Sequence, residues 1–155
     1  MKDSLKYVEP MVHRSQISVP YTWWAGKTAS RFLKSLRDRQ TILGTRCEGC
    51  SRVFVPPRKT CPTCLTLNET WTAVSNEGTV VSFTVARRQL ASIIARKVPV
   101  VFALILLDGA DTALLHIIDQ TDPDRVTIGM RVRACFSSEA GATINAISHF
   151  APVDS

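Results

Sequence analysis

The sequence predicts a mainly β protein in three parts. An N-terminal arm and amphipathic helix occupy residues 1–44, a four-cysteine zinc ribbon 45–68, and a C-terminal OB-fold barrel (the oligonucleotide/oligosaccharide-binding type) 69–155. Three observations carry this reading. Two CxxC pairs, Cys47/Cys50 and Cys61/Cys64, stand ten residues apart. Apolar residues recur at helical spacing just ahead of them, and five or six short β-rich runs separated by turn residues follow. At 155 residues the chain can bury one modest core and carry a metal-stapled module, but it is short for a cofactor-binding enzyme of two full domains.

Residues 1–20 mix charge with Pro10 and Pro20 and show no clear period, which suggests an extended arm that orders against something else. The N-terminus has no apolar stretch of signal-peptide length, and the longest apolar run, 100–107, is too short to cross a bilayer. The expectation is a soluble cytoplasmic protein without a membrane segment. From Thr22, which can cap a helix, Trp24, Ala25, Ala29, Phe32, Leu33 and Leu36 recur at helical spacing, with Lys27, Arg31, Lys34, Arg37 and Arg39 opposite. The helix should end by Gly44. The adjacent Trp23 and Trp24 would project about 100° apart on it, and a small ribbon offers little core for both. Either they pack onto the C-terminal domain or they form a docking surface for a partner chain.

The stretch RCEGCSRVFVPPRKTCPTCL follows the pattern C-x2-C-x10-C-x2-C. Each pair can form a tight turn aiming two thiolates at one point, and two such turns facing each other make the tetrahedral set that zinc prefers. Gly49 suits the first turn and Pro62 stiffens the second. A catalytic zinc keeps a position open for water and draws on His or carboxylate ligands, whereas four cysteines fill every position, so the metal is structural. A redox CxxC would sit at a helix start in a βαβ setting, which is missing here. Two disulfides in a secreted protein remain the alternative. Cys135, in RVRACF, reads as a buried small hydrophobe.

Strand-like runs follow at WTAVS, TVVSFTVARR, VPVVFALILLD, TALLHIID, RVRACFS and ATINAISHF, with turn chemistry at NEG, DGAD, TDPDRVTIGM and SEAG. Five or six such strands around one wholly apolar strand fit a small closed barrel. Catalytic constellations are scarce. His13 lies in the arm, His116 in a strand and His149 near the C-terminus, none with a nucleophile setting, and His116 reads as a strand histidine with one satisfied hydrogen bond. Asp108, Asp111, Asp119, Asp122 and Asp124 fall in or beside turns, where carboxylates cap backbone N–H groups. No phosphate-binding glycine motif is present, so no catalytic residue is assigned.

The net charge of +6 is concentrated. Nine basic residues between Lys27 and Lys59 face only Asp38 and Glu48. This suggests an anionic partner: nucleic acid, the phosphates of a nucleotide-like ligand, or an acidic protein surface; a solvated helix face is the bland alternative. Phe83, Phe102 and Phe136 sit among apolar strand residues and look like core rather than stacking platforms. Arg87, Arg88, Arg96 and Lys97 could still follow phosphates around one loop.

One ordered set of motifs goes further. A Trp-bearing helix, a ribbon with a proline–arginine stretch before its second pair (VPPRKTCPTC), GTVVSFT, VPVVFALILL and DPDRVTIGMRV together resemble the zinc-ribbon/OB-fold family known as domain of unknown function 35, over residues 21–150. The resemblance implies a non-catalytic partner of a thiolase-superfamily enzyme. Family members bridge acetoacetyl-CoA thiolase to hydroxymethylglutaryl-CoA synthase, join steroid side-chain aldolases, or form the small subunit of benzoylsuccinyl-CoA thiolase in anaerobic aromatic degradation, the relative to test first. It implies further that the small subunit helps to shape the acyl-CoA site while the catalytic residues lie in the larger chain. Arg52, Arg58 and Lys59 are then the candidates for the phosphates of coenzyme A, Arg being able to fork onto two oxygens. Trp23, Trp24 and the arm would lie against the thiolase. Leu65 stands where such ribbons often place glycine. The rival reading is a nucleic-acid-binding zinc-ribbon/OB protein, whose binding would fall steeply with salt.

Overall fold

The computed structural model describes residues 11–13, 15–17, 19–88 and 96–153; most of the arm and the middle of the loop after Arg88 lie outside them. Helix α1 spans Gly26–Arg39 and buries Phe32, Ser35 and Leu36, with Leu33 packed half-buried beside them. The apolar stripe is therefore the one its spacing predicts, but the start lies later. Ala25 occupies the N-cap without a side-chain cap, Thr22 is not used, and Trp24 lies outside the helix. Gly26 sets this boundary: its φ of +82° is a left-handed value that side-chain-bearing residues resist. The chain before it, neither helix nor strand, can thus enter the helix at an angle. At the other end Gln40 takes a left-handed conformation and its N–H bonds to the Ser35 carbonyl, while Arg37 and Arg39 complement the partial negative charge of the last turn.

Strands β1 (Leu43–Arg46), β2 (Val53–Phe54) and β3 (Thr70–Ala73) form an antiparallel sheet in the order β2-β1-β3. The run WTAVS, assigned on sequence to the barrel, supplies β3 and pairs with β1 from Leu43↔Ala73 to Arg46↔Thr70. The chain runs back beside β1 before crossing to the barrel.

Strands β4 (Glu77–Ala86), β5 (Val100–Leu107), β6 (Leu114–Ile118), β7 (Arg131–Phe136) and β8 (Ile147–Pro152) close into a barrel in the order β4-β5-β6-β8-β7. Pairs such as Gly78↔Val132 close β7 back onto β4, and β6 meets β8 in parallel only at Ile118↔Phe150. Gly78 is required where strands crowd: a Cβ there would lie 2.5 Å from the Leu106 carbonyl oxygen. Arg131 bonds to Asp108 and Thr79, and Arg133 bonds to Glu77 at 2.9 Å, lacing the β4–β7 seam from outside.

Alternation along the strands sends Val80, Val101, Ala103, Ile105, Leu107, Val132, Ile147 and Phe150 inward. The same core takes in Phe32 and Leu36 of α1, Ile42, and Val55 next to β2. Two sequence expectations are corrected by this alternation. Phe102, paired with Thr84 and Ile117, is half-buried and outside the core cluster, and Cys135 is half-buried rather than buried. Phe83 and Phe136 pack on the core as expected.

Candidate metal centre and docking surface

The ribbon begins where β1 delivers Cys47 and ends where the chain returns towards β3. Each CxxC closes with the same pair of backbone bonds. In the first, Ser51 N–H donates to the Cys47 carbonyl and Cys47 N–H to the Arg52 carbonyl; in the second, Leu65 N–H donates to Cys61 and Cys61 N–H to Thr66. Ser51 and Leu65 both take left-handed φ values, 60° and 56°. The leucine where glycine is usual therefore does not alter the turn; it accepts the strained conformation and stays exposed. Gly49 is needed for space, since a Cβ there would come 3.2 Å from Cys64 Sγ.

The four Sγ atoms of Cys47, Cys50, Cys61 and Cys64 all lie within 4.8 Å of one another, and Cys50 and Cys61 are 3.8 Å apart. A tetrahedron with Zn–S near 2.3 Å has edges of roughly 3.8 Å, so the spacing fits zinc. All four thiols are free, which sets aside the disulfide alternative. The Thr66 hydroxyl, 3.5 Å from Cys47 Sγ, helps bring that thiol down to about 6. Hydrogen bonding with Cys50, and then burial, pushes the Cys64 thiol up to about 12. One thiolate in the cluster thus opposes the next, and a divalent cation is what allows four to coexist. Phe54 is the one non-cysteine member of the apolar cluster around the four thiols.

The ribbon is tied to the barrel at its middle by hydrogen bonds that join Asp111 and Thr112 to the backbone of Val53 and Val55. The Asp111 carboxylate accepts from Val53 N–H at 2.8 Å while Asp111 N–H returns to the Val53 carbonyl, and the Thr112 hydroxyl bridges N–H and C=O of Val55. Asp119 and Asp122 also accept backbone N–H groups, whereas Asp108 and Asp124 pair with Arg131 and Arg87. Backbone capping therefore holds for Asp111, Asp119 and Asp122, and ion pairing replaces it at Asp108 and Asp124.

Arg52, Arg58 and Lys59 are all exposed, and the Arg58 guanidinium lies 5.8 Å from the centre of the Phe54 ring. They do not line one cavity. Lys59 alone among them borders a groove of about 310 Å³ between α1 and β3, with Lys27 and Arg31 on its helix side and Asn68, Trp71 and one acid, Glu69, on its sheet side. Arg31 stacks on Trp71 at 4.4 Å. Lys27 and Arg31 complete a cationic groove that the choice of Lys59 by sequence reached only in part, although both lie in the basic run that the sequence singles out.

His116 is 8 % exposed; its Nδ1 has no hydrogen-bond partner, while the side chain hydrogen-bonds to the backbone at Ile144, in keeping with the one satisfied bond expected. Burial depresses its basicity. It borders a cleft of about 640 Å³ with Phe102, Leu115 and Ser148 where β6 and β8 part. His149 bonds through Nδ1 to the Ser148 hydroxyl at 2.7 Å.

Trp23 and Trp24 are 76 % and 74 % exposed, so neither packs onto the barrel. No described helix is long and apolar enough to cross a membrane.

Residues 71–137 match the family described as the ChsH2 C-terminal OB-fold domain, and residues 35–68 the ChsH2 rubredoxin-like zinc ribbon domain. A DUF35 domain-containing scaffold protein of Methanocaldococcus jannaschii is 30 % identical over 111 residues, covering 71 % of this chain and 77 % of the relative. The scaffold protein of the same description from Pyrococcus furiosus is 28 % identical over 103 residues, covering 66 % and 74 %. Among solved structures, the Ltp2-ChsH2(DUF35) aldolase superposes with a TM-score of 0.61 at 24 % identity, over 79 % of this chain and 92 % of that one. A DUF35 protein of unknown function from Sulfolobus solfataricus gives 0.58 at 26 %, over 70 % and 78 %.

Proposed function

Since the chain belongs to the DUF35 family of zinc-ribbon/OB-fold proteins, we propose that it is a non-catalytic accessory subunit that joins a larger, thiolase-like enzyme. In that complex it helps to shape an acyl-CoA site for carbon–carbon bond cleavage or formation. The observation that carries the reading is the segment ahead of α1, where both tryptophans stand in solvent on a chain whose relatives are named scaffold proteins. Large aromatic side chains exposed together are costly in a free protein and are common anchors at interfaces. Zinc is the structural element, holding the ribbon and its basic residues against the barrel. Arg52, Arg58 and Lys59 meet the phosphates of coenzyme A, and Lys27 and Arg31 extend their positive field across the groove.

The test is affinity purification of the tagged chain from its own cells at about 0.3 M salt, which suppresses contacts driven only by phosphate. A thiolase-like chain recovered in near-equal amount is the expected result. With that complex in hand, Arg58→Ala and Lys59→Ala should raise KM for acyl-CoA and leave kcat unchanged. Recovery of nucleic acid at lower salt, with no thiolase-like chain at any salt, would refute the proposal in favour of nucleic-acid binding.

A further inference from the structure

Four large apolar residues ahead of α1 fall at alternate positions: Ile17, Val19, Tyr21 and Trp23. On a helix this spacing would scatter them around the axis; on an extended chain it puts them on one face. The described part of the segment is neither helix nor strand, and these four side chains are 64–87 % exposed. The Tyr21 and Trp23 rings lie 5.2 Å apart, which places residues two apart on the same side. The period is that of a half-buried strand, and among the described residues no sheet covers it.

Backbone polarity narrows what can cover it. In a strand, the N–H and C=O of one residue point to the same edge and those of the next residue to the other. Val19, Tyr21 and Trp23 therefore present a complete row of donors and acceptors along one edge. Pro20 has no N–H, so the opposite edge, shared with Thr22, is broken. The segment is built to pair on one side only. Among the described residues the sheet edges are too short for it: the barrel is closed, and the other sheet ends in β2, two residues long, and β3, four residues long.

We propose that residues 17–23 bind as a β-strand added to a sheet edge of the larger catalytic chain. They pair through the Val19–Tyr21–Trp23 edge and place the alternate side chains in apolar pockets of that chain. This rests on the accessory-subunit reading above. The left-handed Gly26 is the swivel between the docked strand and the helix that carries the rest of the molecule.

Hydrogen exchange on the complex purified through a tag on this chain tests it. The amides of Val19, Tyr21 and Trp23 should exchange at least about tenfold more slowly than in the isolated chain, with Thr22 unprotected. Proline substitution supplies a second readout. Val19→Pro and Tyr21→Pro should reduce co-purification of the catalytic chain at least about fivefold beyond Val19→Ala and Tyr21→Ala, because each leaves a carbonyl of the partner edge unpaired. Thr22→Pro, on the edge Pro20 already breaks, should stay within about twofold of the unmodified chain. Because the segment is exposed, none of these variants should alter folding. A complex in which these amides exchange freely, or in which Thr22→Pro is as damaging as Tyr21→Pro, overturns the strand and leaves the accessory role intact. Protection that develops in the isolated chain as it self-associates assigns the edge to a second copy and overturns the proposal. If no catalytic chain co-purifies, both readings fail.

Discussion

Replacing Cys61 with serine should open the ribbon and stop there. Cys61 is fully buried beside Phe54, and its backbone closes the second turn through Thr66 and Leu65. Zinc bound to a four-thiolate site contributes on the order of 10–16 kcal/mol in small zinc modules. The other apolar side chain inside the ribbon, Phe54, contributes about 2–3 kcal/mol by burial. Loss of one thiolate therefore removes most of what holds the ribbon closed, and no apolar core remains to compensate. Opening should halt at Val53, where Asp111 and Thr112 hold the backbone, and where Val55 already belongs to the main core. Zinc content by elemental analysis and hydrogen exchange by residue read both effects. Ser51 and Leu65 amides should lose protection, while β4 and β5 amides keep theirs. A variant that retains one zinc per chain with protected turns would refute the clasp. Loss of protection throughout the barrel would refute its independence from the ribbon.

Other substitutions probe the remaining joints. Leu36→Ala, at a side chain 1 % exposed between helix and barrel, should cost about 3 kcal/mol and lower Tm by about 6–12 °C in a thermal melt. Gly78→Ala places a Cβ 2.8 Å from the Leu107 Cα and should cost about 1–3 kcal/mol, most visibly as faster exchange along the β4–β7 seam. Zinc uptake at pH 7 should release at least the Cys64 proton, since that thiol is pushed up to about 12, and calorimetry in buffers of different ionisation enthalpy will count it. For His116, burial lowers the folded pKa below the unfolded value, so the unfolded chain binds the extra proton and stability falls as pH drops below about 6.5. Urea midpoints from about pH 5 to pH 7 should show that slope, and His116→Gln should flatten it.

The ribbon and most strands were legible because their signals are local. Two CxxC spacings specify a metal tetrahedron, and turn residues punctuate each barrel strand. What sequence could not place was set by contacts across the chain. Thr70–Ala73 reads as a strand in either sheet, and only its pairing with β1 decides. Phe102 is apolar among apolar neighbours, so period alone cannot say which face of β5 it takes. Thr22 is a good cap by type, but Gly26 delays the helix past its reach. Lys27 and Arg31 meet Lys59 only through the packing of α1 beside β3. The alternation through Ile17 and Trp23 is present in the sequence, although helical apolar spacing that begins at Trp24 masks it.

An accessory subunit has to transmit position, and the packing supplies the means. Phe32 and Leu36 of the helix, Ile42 before the ribbon sheet and Val55 beside β2 share one core with Val101, Ile105 and Phe150 of the barrel. Close-packed interiors do not shear cheaply, so helix, ribbon root and barrel act as one body. A partner that held the segment before Gly26 would tether this body, and with it the basic groove between α1 and β3, leaving Gly26 as the one joint between them. That groove is oriented only while the ribbon sheet is intact, because Lys59 lies between the cysteine pairs and Asn68 just after them. Zinc is distant in role from any reaction, yet its removal should weaken ligand capture by the groove while leaving the docking segment, which joins the chain at the start of α1 and is no part of the cysteine turns, able to bind. Chelator treatment of the purified complex should accordingly raise KM for acyl-CoA before it dissociates the chains; dissociation that precedes any change in KM would place the ribbon itself in the interface.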